Sequence, residues 1–416
     1  MNALDLTYLV GGTLLAPVWA SKARGGWQER FGHIAPLAAP TGGRPRVLLH
    51  AVSVGEVSAL RGLVPLLSPR ADVVVSAGTD TGLARARALF EPGARVVRYP
   101  LDFSACVARF LDAVRPDAVG LVELEVWPNF VAACDRRGIP VAVINGRLSA
   151  RSFRGYRRIR TLIGPTFRRL RAVAAQNRDY AERFIAMGVP SDRVRITDTM
   201  KWDAADLSAA VPGAAALAEA MGIDQSRPLV VAGSTAQDEE ALLHAACPAG
   251  AQLLCAPRKP EHFDDAARAL PGCTRRSTGE RAKPGATRFL LDTIGELRAA
   301  YALADVVVMG RSFGTLYGSD PIEPAALGKP TIIGPRFGDF ESVVSTLRAE
   351  EALIVSDRRS LPRDLARLLA DPAAAARLAA NARACVERHR GATARHADLI
   401  IDLLAPAMRT GDAAGR

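Results

Sequence analysis

The 416-residue sequence predicts an α/β protein built from two doubly wound, parallel-sheet domains. Three observations carry that prediction. The chain is too long for one ordinary core, short β-branched runs recur in both halves, and each run ends in a small-residue turn leading into a helix-compatible stretch. A hydrophobic content of 49% excludes a disordered chain.

In chain order, the first half places strands at Val47–His50, Val73–Ala77, Ala118–Glu123 and Val141–Asn145, with helices such as Leu83–Phe90 and Phe130–Arg137 between them. The second half repeats the style at Leu229–Ala232, Gln252–Ala256, Val306–Met309 and Thr331–Ile333. Around Ala204–Gly222 the chain turns alanine-rich, with Pro212 and Gly213 and no strand pattern. A boundary there divides the protein into an N-terminal segment (1–24), a first domain (25–205) and a second domain (206–416). Residues from Asp364 to Pro406 read as helices, with a disordered tail after Arg409.

The segment Leu6–Ala20 is apolar but only fifteen residues long, short of the ~20 needed to span a bilayer. Asp5 is the only charge ahead of it, which argues against a cleaved signal peptide. Lys22 and Arg24 follow directly, and Trp19 and Trp27 are close by, so the segment is expected to lie in a membrane interface. The formal charge of +11 predicts an anionic partner. Twelve arginines fall between Arg136 and Arg178 without one acid among them. The few aromatics there (Phe153, Tyr156, Phe167) do not make a single-strand nucleic-acid platform. Six scattered cysteines without a CxxC pair predict free thiols and no metal site.

Candidate chemistry concentrates at the strand-end turns. Met309–Gly334 runs from a strand through Gly310 and Ser312 to a short helix start carrying Glu323, then to another strand. A helix start offers backbone N–H groups and a positive dipole end to a phosphate, and Glu323 has the reach to accept both hydroxyls of a ribose. His50-Ala-Val-Ser-Val-Gly-Glu56 and Gly78-Thr-Asp-Thr-Gly82 are expected to form similar anion cradles. No GxGxxG fingerprint with a distal acid stands out, which disfavours a dehydrogenase. Two doubly wound domains with ligands at their strand ends define the GT-B architecture of glycosyltransferases.

Taken in order, several motifs resemble one family. They are HxxSVGE (50–56), ELExWPN (123–129), NxRLSxRS (145–152), AGST (232–235), APRxPE (256–261), DTxGEL (292–297) and the loop 310–323. The chain resembles the 3-deoxy-D-manno-octulosonic acid (Kdo) transferases from about Gly25 to Glu341. That resemblance implies a GT-B enzyme that moves Kdo from CMP-Kdo to the lipid A precursor in lipopolysaccharide synthesis. It also implies that no metal or other cofactor is used and that the enzyme works at the cytoplasmic face of the inner membrane. The membrane would be held through residues 4–24 and the Arg136–Arg178 region, with no nucleic-acid partner.

Residue by residue, the resemblance maps the catalytic base onto Glu29, within Gly26-Trp-Gln-Glu-Arg-Phe-Gly32. Donor-binding roles fall on Ser234, Arg258, Lys259, Gly310, Ser312, Phe313, Asp320 and Glu323. Acceptor or sugar contacts fall on Ser53, Gly55, Glu56, Glu123 and Arg147. One departure concerns Tyr317-Gly-Ser-Asp-Pro321, where relatives carry Gly-Gly-His-Asn-Pro. Asp320 there removes an amide donor, which leaves another anionic sugar nucleotide open as donor. A GT-B transferase with another nucleotide sugar, or a non-catalytic basic membrane- or nucleic-acid-binding protein, are the alternatives.

Overall fold

A computed structural model describes residues 2, 4–9, 25–208 and 210–413. The chain divides into two compact units, residues 1–204 together with 391–416, and residues 205–390.

In the first unit, seven strands form one parallel sheet. They are β1 (Arg46–Ala51), β2 (Asp72–Ala77), β3 (Arg95–Arg98), β4 (Ala118–Val122), β5 (Val141–Gly146), β6 (Ala172–Ala175) and β7 (Val194–Ile196), in the order β3-β2-β1-β4-β5-β6-β7. The central strands are buried on both faces, so they read as unbroken apolar runs rather than alternating ones. Leu48, Val74 and Val119 face one core; Val47, Leu49, Val73 and Val75 face the other. The strand order reverses between β1 and β4, and ligands of open α/β sheets bind outside the strand ends at such a switch point.

The second unit repeats the plan with β8 (Leu229–Thr235), β9 (Gln252–Pro257), β10 (Thr274–Arg275), β11 (Arg288–Leu290), β12 (Val306–Met309), β13 (Thr331–Ile333) and β14 (Ile354–Val355). Their order is β10-β11-β9-β8-β12-β13-β14, with the switch between β8 and β12. Here Gly233 is a packing requirement. A Cβ at this position would lie 1.9 Å from the Tyr301 hydroxyl. Gly233→Ala is expected to cost about 2 kcal/mol of stability through overpacking. Adding Tyr301→Phe should recover part of the loss in denaturant midpoint, and no recovery would place the clash elsewhere.

All eight expected strands are present. The six that were not expected are β3, β6, β7, β10, β11 and β14. Most are edge strands of two to four residues, and β6 (Ala-Val-Ala-Ala) has too little β-branched character to stand out.

Two expectations change at the C-terminus. Residues 391–416 belong to the first unit, not the second. The helix Ala392–Ala413 carries Ala397, Ile400 and Leu404 into the core beneath β1, β2 and β4, so its apolar stripe is satisfied there. Its backbone is helical to Ala413, past the Arg409 where a disordered tail was expected. The helix also supports a strand end. His396 Nδ1 lies 2.7 Å from the Ala392 carbonyl, so that nitrogen donates and Nε2 accepts the Asn145 N–H at 2.8 Å. Burial pushes the His396 imidazole down to about 4, which keeps it neutral.

Candidate active site

In a parallel sheet all carboxyl ends lie along one edge, and the sequence-selected residues of each unit gather there. Five residues at these ends have positive φ without being glycine: Glu123 (58°) after β4, Asn145 (50°) in β5, Asp198 (62°) after β7, Ser234 (56°) in β8 and Arg311 (59°) after β12. Such backbone costs on the order of 1–3 kcal/mol per residue and clusters at functional sites.

In the first unit, Glu29 lies on the short helix Trp27–Arg30. Its carboxylate pairs with Arg98 Nε at 2.9 Å, at the end of β3, rather than with its neighbour Arg30. Arg98 also reaches Asp80 at 2.6 Å, and Asp80 is shared with Arg30 at 3.2 Å. These contacts hold Glu29 beside the turn after β2, with its side chain 37% exposed. Arg98 belongs to no motif, and Asp80 sits in the Gly78–Gly82 turn read only as an anion cradle; their link to Glu29, 69 and 51 positions apart in sequence, leaves no local signal.

The turn after β1 is closed by its own side chains. Ser53 Oγ accepts the Glu56 N–H (3.3 Å) and donates to Glu56 Oε1 (2.8 Å), while Glu56 Oε2 accepts the Val52 N–H (2.8 Å). This is a capping box. Ser53 and Glu56 therefore fill the helix start that was expected to cradle an anion, and the space beside Gly55 is bounded by Ser53 Oγ, 3.9 Å from where a Cβ would sit. The S-x-x-E spacing was the signal for it. After β2, Thr79 caps Gly82, and Asp80 holds arginines rather than leaving a cradle.

Glu123 and Arg147 meet at 3.7 Å. Glu125, two residues on, accepts the Trp127 indole N–H at 2.8 Å. Burial pushes its carboxyl up to about 7, and the nearby charges of Glu56 and Glu123 add to the rise. The folded protein thus holds a proton that the unfolded chain releases. The associated stability is present below the ordinary glutamate range and is lost as pH rises through about 7. Glu125→Gln, which mimics the protonated form, should match the parent at about pH 4, below the ordinary glutamate range, and be more stable at pH 8. A stability difference that does not change with pH would show Glu125 ionised throughout.

The second unit holds the larger correction. Glu239 is 1% exposed, and its carboxylate accepts four backbone N–H groups. Oε2 takes those of Ala236 (2.9 Å) and Arg311 (2.6 Å); Oε1 takes those of Ser312 (2.9 Å) and Phe313 (3.0 Å). The Arg311–Phe313 amides, in the turn where donor contacts were expected, are therefore occupied by an internal carboxylate, and the Gly310 N–H goes to the Gly233 carbonyl. Ser312 is fully buried, donating to the Met309 carbonyl and accepting the Gly334 N–H. Gly310 is needed because a Cβ would sit 2.5 Å from the Ser234 carbonyl oxygen. These residues shape the turn instead of touching a ligand.

The helix Ile322–Ala326 has five residues, and its Ile322 N–H is taken by Asp320 Oδ1 at 3.0 Å. Asp320 supplies the acceptor that an asparagine would also supply. Three groups remain available to a ligand. Ser234 is 8% exposed, and its hydroxyl bonds to none of the described residues. Arg258 is exposed, held through its own N–H to the Thr235 carbonyl. Glu323 keeps 40% of its side chain exposed, 3.9 Å from Arg298. Burial raises the Glu323 carboxyl above its usual range, Arg298 opposes the rise and Asp320 adds to it. The buried Tyr301 feels the charges of Glu323, Asp320 and Arg258, which places all three around it. Lys259 pairs with Glu261 at 3.2 Å, both well exposed, so it is the weakest member of the set.

The arginine-rich window is not one uncompensated face. Arg137, Arg147, Arg169 and Arg178 pair with Asp112, Glu123, Asp135 and Glu182. Arg168 and Arg171 join Arg137 and Arg169 around a cavity of about 1150 Å³ at the amino-terminal ends of β4 to β7. Only Arg151, Arg154, Arg157, Arg158 and Arg160 form an exposed run, beside Ile159 and Leu162. Of the N-terminal segment, residues 4–9 dock on the first unit. Asp5 accepts from Ser104 and Asn129, and Tyr8 donates to Asp102 at 3.0 Å. Residues 10–24, the rest of the expected interfacial segment, lie outside the described residues. No helix among the described residues is long and apolar enough to cross a membrane.

Two doubly wound parallel sheets, one in each unit, define the GT-B architecture. Solved structures agree on the fold. Anabaena HepE in complex with UDP superposes with a TM-score of 0.61 at 14% identity, covering 87% of this chain and 100% of that one. Acinetobacter baumannii MurG gives 0.57 at 14%, covering 86% and 99%. Residues 25–204 match the family described as 3-deoxy-D-manno-octulosonic-acid transferase (kdotransferase). A 3-deoxy-D-manno-octulosonic acid transferase of Bordetella pertussis is 34% identical over 92% of this chain and 94% of its own length. One from Haemophilus influenzae is 30% identical over 91% and 90%. The chain belongs to the Kdo transferase family and is a glycosyltransferase.

Proposed function

We infer that the protein transfers Kdo from CMP-Kdo to the lipid A precursor, with inversion at the anomeric carbon and without a catalytic metal. The observation that carries this reading is the near full-length similarity to Kdo transferases. In the first unit, the acceptor hydroxyl loses its proton to Glu29 as it attacks the anomeric carbon, a step that needs a carboxylate within hydrogen-bond reach. Arg98 orients that carboxylate. Glu123 and Arg147 meet the acid sugar and acceptor. In the second unit, Arg258 and the Ser234 hydroxyl receive the phosphate of the leaving CMP, whose charge grows as the bond breaks. Glu323 accepts the ribose hydroxyls. The exposed arginines of 151–160, with Ile159 and Leu162, suit a bis-phosphorylated lipid at the cytoplasmic face of the inner membrane. Each basic residue near such a surface contributes about 1 kcal/mol.

Incubation with CMP-Kdo and tetra-acylated lipid A precursor should yield a Kdo-bearing product by mass spectrometry. Calorimetry should show CMP bound in preference to UDP and GDP, and Glu323→Ala should weaken CMP by roughly tenfold through loss of the charged hydrogen bonds. Preferential UDP binding would overturn the cytidine assignment. A full-length protein that stays out of membrane fractions without detergent or salt would overturn the membrane assignment.

A further inference from the structure

The six cysteines were read as simple thiols, but Cys385 is followed four residues later by His389 on the helix Pro372–His389. This spacing puts both side chains on one helix face. Glu350, just past the end of the helix Glu341–Ala349, completes a cluster whose ligand atoms all lie within 4.8 Å of one another. All three residues lie in the second unit. We propose that Glu350, Cys385 and His389 form a divalent-metal site selective for zinc, structural in role and separate from sugar transfer.

Three features carry the assignment. The donor set of one thiol sulfur, one imidazole nitrogen and one carboxylate oxygen is the borderline-soft mixture that suits zinc over calcium or magnesium. The spacing also fits. Ligand bonds of about 2.05 Å in a tetrahedron give a nitrogen–oxygen edge of about 3.3 Å, and His389 Nε2 lies 3.3 Å from Glu350 Oε1. Finally, an outer partner is already in place. Arg388 Nη1 holds the other carboxylate oxygen, Oε2, at 2.5 Å, which leaves Oε1 turned toward His389 and fixes its orientation. Cys385 is fully buried, so a metal on its sulfur is shielded on that side, and the fourth position falls to water. On binding, the Cys385 thiol gives its proton to solvent and its thiolate pair to the metal. The bound ion would pin residue 350 to the last turn of the helix that precedes the chain's return to the first unit.

The test uses the full-length protein, reduced and chelator-stripped, titrated with Co²⁺ and separately with Zn²⁺. One Co²⁺ per chain with a thiolate-to-cobalt charge-transfer band is expected, together with a rise in Tm on adding Zn²⁺. Cys385→Ser should abolish the band. His389→Gln should weaken binding at least tenfold with unchanged far-ultraviolet circular dichroism, and it decides the matter if the serine variant folds poorly. Absence of a thiolate band, or a band that survives both substitutions, overturns the proposal. Because the readout is metal binding, it stands or falls independently of the Kdo reaction.

Discussion

Glu29→Gln is expected to lower sugar transfer by roughly 10²–10⁴-fold, the range that loss of a positioned general base gives, while CMP affinity stays unchanged. Glutamine keeps the size of the side chain and can still accept from Arg98 Nε, so the helix Trp27–Arg30 and the Arg98–Asp80–Arg30 contacts should persist. What is lost is the ability to take a proton. The groups proposed for the nucleotide, Ser234, Arg258 and Glu323, lie in the other unit, which makes the separation of turnover from binding a sharp outcome. Transfer at the parental rate would remove Glu29 from the mechanism and turn attention to Glu125, whose carboxyl titrates near neutrality.

Glu239→Gln carries the largest expected effect on stability. The carboxylate satisfies four buried N–H groups across two loops. A glutamine carbonyl oxygen has two lone pairs, and its NH₂ would face the remaining donors. With two buried N–H groups left without an acceptor, the cost is about 3–5 kcal/mol, at 1–3 for each such group and more where a charge is involved. For a unit of this size that is roughly a 10 °C fall in Tm. CMP binding should weaken as well, because Ser234 and the Gly310–Phe313 turn lose their common support. Calorimetric unfolding checks the first and titration the second; a Tm within error of the parent would show that the loop is held by other contacts.

Much of this architecture is legible in the residues themselves. The strands β12 and β13 coincide with their expected ranges, β1, β2, β5, β8 and β9 contain theirs, and β4 stops one residue short at Val122, because a strand buried on both faces must be apolar at every position. The edge strands leave no such imprint. At the candidate sites, the proposed roles of Glu29, Glu123, Arg147, Ser234, Arg258 and Glu323 could be nominated from the motifs. The roles of Ser53, Glu56, Gly310, Ser312, Phe313 and Asp320 could not, since a turn rich in Gly and Ser looks the same whether its amides are open or filled. For Glu56 the S-x-x-E spacing was a local signal; for Glu239 three of the four partners lie more than seventy positions away.

Amino-acid order alone determined the two parallel sheets and which turns end their central strands, because burial on both faces and φ-tolerant punctuation are local properties of the chain. Only tertiary structure decided that the last helix completes the first unit, that four of the twelve clustered arginines find carboxylates outside their window, and that a buried acid already occupies the amides of the turn after β12. Those outcomes depend on which hydrogen-bonding groups meet once distant segments pack, and every buried donor must find its acceptor wherever the fold supplies one.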